Sequence, residues 1–308
     1  MSRRRKAWMR DVNGILLLDK PVGASSNQVL QRVRHLYGAA KAGHTGSLDP
    51  LATGMLPVCF GPCTKLSHYL LDADKHYTVT VAVGTRTSSG DAEGEVVATS
   101  DARPDLQALQ AAAERFKGEI DQIPPMHSAV HHQGRRLYEI ARSGGEVERK
   151  PRRISIHELH IDEVSGDSFR LRVRCSKGTY VRTLAEDITE AAGSLGHVAA
   201  LHRDWLAPFP PEGMHSIEAV EAAAEQGREA LDALLLPPSV GLQDWPAVEL
   251  DAARAFYLAR GEAVRVATAP ADGRVAIYGP GGALIALGEI NADGMVAPRR
   301  MMQVPAPA

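Results

Sequence analysis

Three cysteines in 308 residues are too few for a disulfide framework, which points to a reducing compartment and a cytoplasmic location. Cys59-x-x-x-Cys63 has no second Cys or His pair at zinc spacing, so buried free thiols are expected and no metal. Long apolar runs are missing as well. Gly14 to Leu18 is far too short to span a bilayer or serve as a secretory signal, and no apolar stretch directly follows the basic start Ser2-Arg3-Arg4-Arg5-Lys6. A membrane partner is therefore excluded. A glycine-rich phosphate loop is absent: Gly279-Pro280-Gly281-Gly282 lacks the following Lys-Ser/Thr and reads as a hairpin turn. There is no internal repeat, and a net charge of −2 announces no polyanion ligand.

The near-neutral total hides an uneven distribution. Residues 1–65 carry ten Lys/Arg against three Asp/Glu, and residues 131–182 carry twelve against seven. Residues 213–262 are acidic, with three against nine. A basic face of the kind polyanion binding requires is compatible with this pattern. The length exceeds the usual single domain and suggests one large and one small domain.

The most informative stretch is Gly43-His44-Thr45-Gly46-Ser47-Leu48-Asp49-Pro50-Leu51-Ala52-Thr53-Gly54. Its glycines permit turns and close backbone approach, and Pro50 biases Asp49 away from helix. A surface turn explains the glycines but not Leu48, Leu51 and Met55 among them. Those apolar residues suggest a loop tied to the core at several points, able to hold one carboxylate rigidly.

Around it the chain reads as alternating strands and helices. Gly14 to Pro21 is a buried strand; Ser25 or Ser26 caps a helix through Tyr37; Met55 to Phe60 is a second strand, and Thr64 caps a short helix. Tyr77-Thr78-Val79-Thr80-Val81-Ala82-Val83 alternates with period two, which puts Tyr77 at the rim of the core. Gly84 to Gly94 reads as a polar loop. Asp105 to Arg115 is helical with Leu106 and Leu109 inward, and Gln122 to Val130 is extended. Phe169 to Cys175 is the clearest strand, its apolar face opposite a basic stripe of Arg170, Arg172 and Arg174. A helix from about Tyr180 to Ala192 places Tyr180 and Arg182 at a strand-to-helix junction. Ala199 to Trp205 is another strand. Two acidic helices lead to a linker at Pro237-Pro238, and the remainder, a helix and short strands with Gly-rich turns, suggests a small barrel.

Assembled, these segments resemble the bacterial tRNA pseudouridine-55 synthases of the TruB type over nearly the whole length. The resemblance is carried by Gly14 to Gly23 (Gly-Ile-Leu-Leu-Leu-Asp-Lys-Pro-Val-Gly), the Gly43 to Gly54 loop and Asp74-Lys75-His76-Tyr77. It continues through Gln122-Ile123-Pro124-Pro125-Met126, Leu137-Tyr138-Glu139 and Ser176-Lys177-Gly178-Thr179-Tyr180-Val181-Arg182-Thr183. It implies an α+β fold with a mixed, largely antiparallel central sheet flanked by helices, and a small C-terminal PUA-like β-barrel. The implied domains are a catalytic domain over 1–245, with an RNA-gripping insertion at approximately 105–150, and an RNA-binding domain over 246–308. The implied reaction isomerises one uridine in the T-loop of tRNA without cofactor, in a monomer needing no protein partner.

By correspondence Asp49 is the catalytic carboxylate, Tyr77 lies against the everted base, and Tyr180 and Arg182 are its pocket partners. His44 contacts the RNA, while Lys20 and Leu201 line or support the pocket. Some positions depart from the family pattern: His76 stands for Arg, Ser88 lies in place of an acidic run, His127 stands for Tyr, and His202-Arg203-Asp204 for Arg-Arg-Thr. The chemistry fits the residues. A carboxylate that must stay ionised where water is scarce needs a nearby guanidinium to oppose the effect of burial, and stacking on an aromatic ring returns about 1–3 kcal/mol per flipped base. The rival readings are a tRNA-binding or tRNA-folding protein whose catalysis is secondary, and a guide-RNA-dependent pseudouridine synthase.

Overall fold

The computed structural model describes residues 9–128, 131–132 and 134–302. The basic start from Ser2 to Lys6, Ala129 and Val130 of the extended segment, and the tail beyond Met302 lie outside the described residues. The chain begins with β1 (Gly14–Lys20), α1 (Ser26–Leu36), β2 (Ala42–His44), β3 (Thr53–Phe60), α2 (Ser67–Leu70) and β4 (Lys75–Val83). The stretch expected as a polar loop begins a small hairpin, β5 (Thr85–Thr87) with β6 (Val96–Thr99). Then follow α3 (Leu106–Glu114), β7 (Gly118–Gln122), the two-residue strands β8 (His131–His132) and β9 (Arg135–Arg136), and α4 (Leu137–Arg142). The long strands β10 (Arg152–Ser165) and β11 (Ser168–Cys175) lead to α5 (Val181–Ala191), β12 (Gly196–Leu206), α6 (Ile217–Gln226) and α7 (Arg228–Ala233). The C-terminal part holds β13 (Ala247–Glu249), α8 (Ala252–Ala259), β14 (Arg274–Tyr278), β15 (Leu284–Ile290) and β16 (Val296–Met301).

The main sheet runs β1-β3-β12-β4-β11-β10-β7, with β2 added on β3, and every pair is antiparallel except β12 with β3. The expected mixed, largely antiparallel sheet is thus present. The apolar run of β1 is explained by burial on both faces. Leu16 and Leu18 face a core built with α1, α3, α5 and α6, while Ile15 and Leu17 face Met55, Cys59, Leu66 and Leu70 on the other side. Helix α1 starts at a reciprocal capping box between Ser25 and Gln28, and Gly38 follows its end with φ +58°.

The second core also takes in Leu284, Leu287 and Met302, so the C-terminal sheet packs directly on β1 and β3. That sheet has the order β13-β14-β15-β16, and Val264 is bridged to Val296 beside it. The segment after Pro237 is no loose linker: it forms a 3-10 turn over Pro238–Leu242 with Gly241 and Leu242 buried. Two smaller expectations also change. Thr64 bonds the Gly61 carbonyl inside a 3-10 turn rather than capping α2, because Pro62 already starts the turn. Leu106, the first residue of α3, remains 37% exposed while Leu109, Ala112 and Ala113 take the buried face.

Gly54 sets how closely β3 and β12 approach. Its φ is +97°, and a Cβ there would lie 2.4 Å from the carbonyl oxygen of Arg203. Both a left-handed backbone and a backbone clash oppose any side chain. Gly54→Ala is therefore expected to lower stability by at least about 2 kcal/mol, read as a lower midpoint in urea at unchanged slope.

Candidate active site

The Gly43 to Gly54 loop is held by its backbone on both sides of Asp49. Before it, Leu48 exchanges hydrogen bonds with the Ser26 hydroxyl (2.8 Å from its N–H, 2.9 Å to its carbonyl), and Arg203 Nη2 donates to the Gly46 carbonyl at 3.3 Å. After it, Lys20 Nζ donates to the carbonyls of Pro50 (3.2 Å) and Ala52 (2.6 Å), and the Gly23 N–H bonds Pro50 at 2.8 Å. Leu48 and Ala52 are buried. The loop is a rigid mount for one side chain. Lys20 is itself fully buried, and this pushes its ammonium down to about 8, against the opposing pull of Asp49 and Glu93.

Arg182, on the first turn of α5, reaches that side chain. Its Nη2 lies 3.0 Å from Asp49 Oδ2 and donates to the His127 carbonyl at 2.8 Å; its Nη1 lies 3.4 Å from Asp91 Oδ2 and donates to the Ser89 carbonyl at 2.8 Å. The Arg182 and Asp91 side chains are only 8% and 5% exposed, whereas Asp49 keeps 44% towards the cleft. Burial pushes the Asp49 carboxyl above its ordinary value; Arg182 opposes this and Asp91 adds to it. Because much of Asp49 still meets solvent, the upward push is partial.

The other residues expected at the site fall around this pair. Tyr77 is partly buried on β4 and stands opposite Arg203 of β12 in the sheet; burial pushes its phenol up, and the Arg203 charge opposes this. Tyr180 is the residue before α5, clamped through its backbone by the Gln122 side chain (2.8 Å from its N–H, 3.0 Å to its carbonyl), which fixes the approach of Arg182. Leu201 is buried on β12 and lines a cavity of about 460 Å³ with Leu51, Thr53, Thr78, Thr80 and Glu93. His44 stands at the end of β2; its Nδ1 is buried without a partner, and burial together with Arg203 lowers the tendency of the ring to charge. Asp49, Arg182, Lys20 and Tyr77 thus form one neighbourhood. Tyr180 joins it through its backbone and Leu201 through the cavity wall.

Asp91, Arg203, Glu93 and Gln122 were missed. Asp91 and Glu93 sit in a stretch that reads as a polar loop, Gln122 in an extended segment and Arg203 on a strand, and each gains its role from partners distant in sequence. An Asp at the end of a Thr-Ser-Ser-Gly run carries no local sign of being 3% exposed.

The basic stripe of β11 is present but not open. Neighbouring β10 supplies a carboxylate to each arginine: Glu163 to Arg170 (2.6 Å), Asp162 to Arg172, and Glu158 to Arg174 (3.1 Å). Such exposed pairs are weak, roughly 0–1 kcal/mol each. Two departures from the family pattern prove to be partners: His76 Nδ1 lies 2.9 Å from Asp204 Oδ2, and Thr78 donates to that oxygen at 3.0 Å. His202 likewise meets the Thr53 hydroxyl at 2.8 Å.

Three family descriptions match along the chain: TruB family pseudouridylate synthase (N terminal domain) over residues 34–181, tRNA pseudouridylate synthase B C-terminal domain over 182–243, and Pseudouridine synthase II TruB, C-terminal, over 246–302. The tRNA pseudouridine synthase B of Aeromonas salmonicida is 49% identical over 98% of both chains. That of Pseudomonas putida is 50% identical over 97% of this chain and 98% of its own. Among solved structures, a crystal structure of a Cbf5-Nop10-Gar1 complex contains a chain with TM-score 0.73 and 23% identity, covering 94% of this chain and 85% of that one, a likeness of fold.

The carboxylate network gives a titration test. With its folded value raised, Asp49 holds its proton to higher pH in the native state, so its contribution to stability falls as pH rises from the ordinary 3.8 through the raised value. Arg182→Met removes the opposing cation and is expected to move the Asp49 carboxyl further up, as followed by carbon NMR of labelled aspartate.

Proposed function

Because the chain belongs to the TruB family of pseudouridylate synthases, we propose that it isomerises uridine 55 in the T-loop of tRNA, with Asp49 as the catalytic carboxylate. The observation that carries this reading is the 3.0 Å pair between Asp49 and a nearly buried Arg182 at the mouth of a cleft. The reaction breaks the bond from C1′ to N1, turns the uracil and joins C5 to C1′. C5 loses a proton and N1 gains one, so the product is an isomer of the substrate. The chemistry calls for a group that stabilises the freed sugar or base carbon and for a site that holds the detached ring. An ionised Asp49 offers the first, since Arg182 opposes its protonation without covering both of its oxygens.

The target nucleotide must leave its stack to reach Asp49, at a cost of roughly a few kcal/mol. The Tyr77 ring, at the rim of the core, suits an everted uracil and would return part of that cost. Tyr180, His44 and Leu201 are assigned to the walls of the same pocket, and Lys20 to the fixing of the loop below it. The insertion at approximately 105–150, which includes the backbone carbonyl of His127 bonded to Arg182, is assigned to the grip on the tRNA T-arm. Domain roles follow: catalysis in 1–245 and RNA binding in 246–308. A cytoplasmic monomer acting on tRNA without a guide RNA fits full-length relatives of matching size.

Asp49→Asn keeps the shape of the loop and removes the charge. It is expected to abolish pseudouridine at position 55, a loss of about 10⁴-fold or more, while changing the dissociation constant for unmodified tRNA by less than about tenfold. Base-resolution mapping of pseudouridine alongside a filter-binding titration measures both. Equal product from the two proteins would remove Asp49 from the mechanism, and activity at a different uridine would correct the site of action.

A further inference from the structure

Gln122, the last residue of β7, is 3% exposed, and both polar atoms of its carboxamide go to one residue. Oε1 accepts from the Tyr180 N–H at 2.8 Å, and Nε2 donates to the Tyr180 carbonyl at 3.0 Å. The side chain thus pairs with Tyr180 as the backbone of a neighbouring strand would. The Gln122 backbone is already paired, with Arg152 of β10, at the outer edge of the main sheet. A carboxylate of the same length would accept from the N–H but face the carbonyl without a donor.

Tyr180 stands just before the first turn of α5, where a Ser, Thr, Asp or Asn side chain ordinarily fastens a helix start, and it makes no such bond. Further along, Leu184, Ala185 and Ile188 seat α5 in the core. The start of the helix is held by Gln122 instead. Two residues on, the Arg182 guanidinium meets the carbonyls of Ser89 and His127 and the carboxylates of Asp49 and Asp91. A planar fork fits four fixed acceptors only while the backbone that carries it stays in place. The segment that begins at Gln122 supplies a second hold, since the His127 carbonyl takes Nη2 at 2.8 Å. Between the two holds lie Pro124 and Pro125, which restrict Ile123 and Pro124 to extended backbone and keep the spacing stiff.

We propose that Gln122 is a positioning residue for the reaction: its carboxamide fixes the first turn of α5 and so the place where the Arg182 guanidinium meets Asp49. Gln122 touches neither the substrate nor the carboxylate and acts through Arg182 alone. The proposal rests on the isomerase reading of the same site.

Gln122→Met keeps the length of the side chain and removes both bonds. It is expected to lower kcat on unmodified tRNA about 10²-fold with KM changed less than about threefold. It should also move the Asp49 carboxyl further up, because a displaced Arg182 opposes its burial less, while Asp91, Lys20 and His127, which also face Asp49, are unaltered. In an Arg182→Met background the same change at Gln122 should leave the Asp49 titration where Arg182→Met alone puts it. Carbon NMR of labelled aspartate reads each protein. An equal upward step in that background overturns the proposal, as does a Gln122→Met enzyme with wild-type kcat, a loss confined to KM, or an unmoved Asp49. Should Gln122→Met not fold, Gln122→Glu keeps the bond from the Tyr180 N–H and loses the one to its carbonyl. A lower kcat at unchanged KM is expected there, and full kcat overturns the proposal. Were the wild-type chain to form no pseudouridine, the proposed reaction would fail, while the Asp49 titrations would still report whether Gln122 places Arg182.

Discussion

One buried guanidinium between two carboxylates determines what the cleft can do. Arg182 spends Nη1 on Asp91 and Ser89 and only Nη2 on Asp49 and His127. A full two-pronged clamp would neutralise Asp49 and hide both of its oxygens. Here the more deeply buried Asp91 takes a fixed share of the positive charge. Asp49 is left as the exposed carboxylate of the trio, with lone pairs free towards the cleft. Arg182 is one cation shared by two anions, and Lys20 adds a further positive charge near Asp49. Removing either carboxylate would leave a different balance, which is why the second acid matters though it is buried.

The loop that presents Asp49 depends on two further buried cations, Lys20 and Arg203, and both bind main-chain oxygens. Backbone carbonyls that point inward need donors, and Lys and Arg supply several each from one side chain. The consequence is electrostatic as well as mechanical. Lys20 lowers the tendency of Asp49 to take up a proton, and Arg203 does the same for Tyr77. Rigidity and charge stabilisation come from the same groups.

The strands and helices were largely legible because their signals are local: the period-two run into Val83, the apolar faces of β1 and β11, the Ser25 cap. The central motif was legible for the same reason, since a proline and three glycines around one acid already describe a fixed turn. What could not be read depends on register. Nothing in Arg170-Leu171-Arg172-Val173-Arg174 tells that β10 will set Glu158, Asp162 and Glu163 beside it, so a basic stripe was expected where the surface is paired charge. Arg203 looked like one member of a polar run until β4 placed Tyr77 opposite it. Asp91 gave no hint of its burial, because its partner is ninety-one positions further along at Arg182.

The departures at His76 and Asp204 illustrate a related point. Taken one at a time each removes an expected residue; taken together they form a hydrogen bond across β4 and β12 with Thr78 as a third member. They lie on strand positions adjacent to Tyr77 and Arg203, and alternate residues of a strand face opposite sides of the sheet. The exchange is therefore absorbed on the far side, leaving the Tyr77 and Arg203 pair undisturbed. The C-terminal sheet acts on that pair by a different route. Leu284, Leu287 and Met302 pack with Ile15, Leu17 and Met55, and β1 and β3 are the strands that deliver Lys20 and the Met55 carbonyl to the site. The small sheet thus shares a core with the support of the Asp49 loop, and loosening that core would reach Asp49 without touching any residue of the cleft.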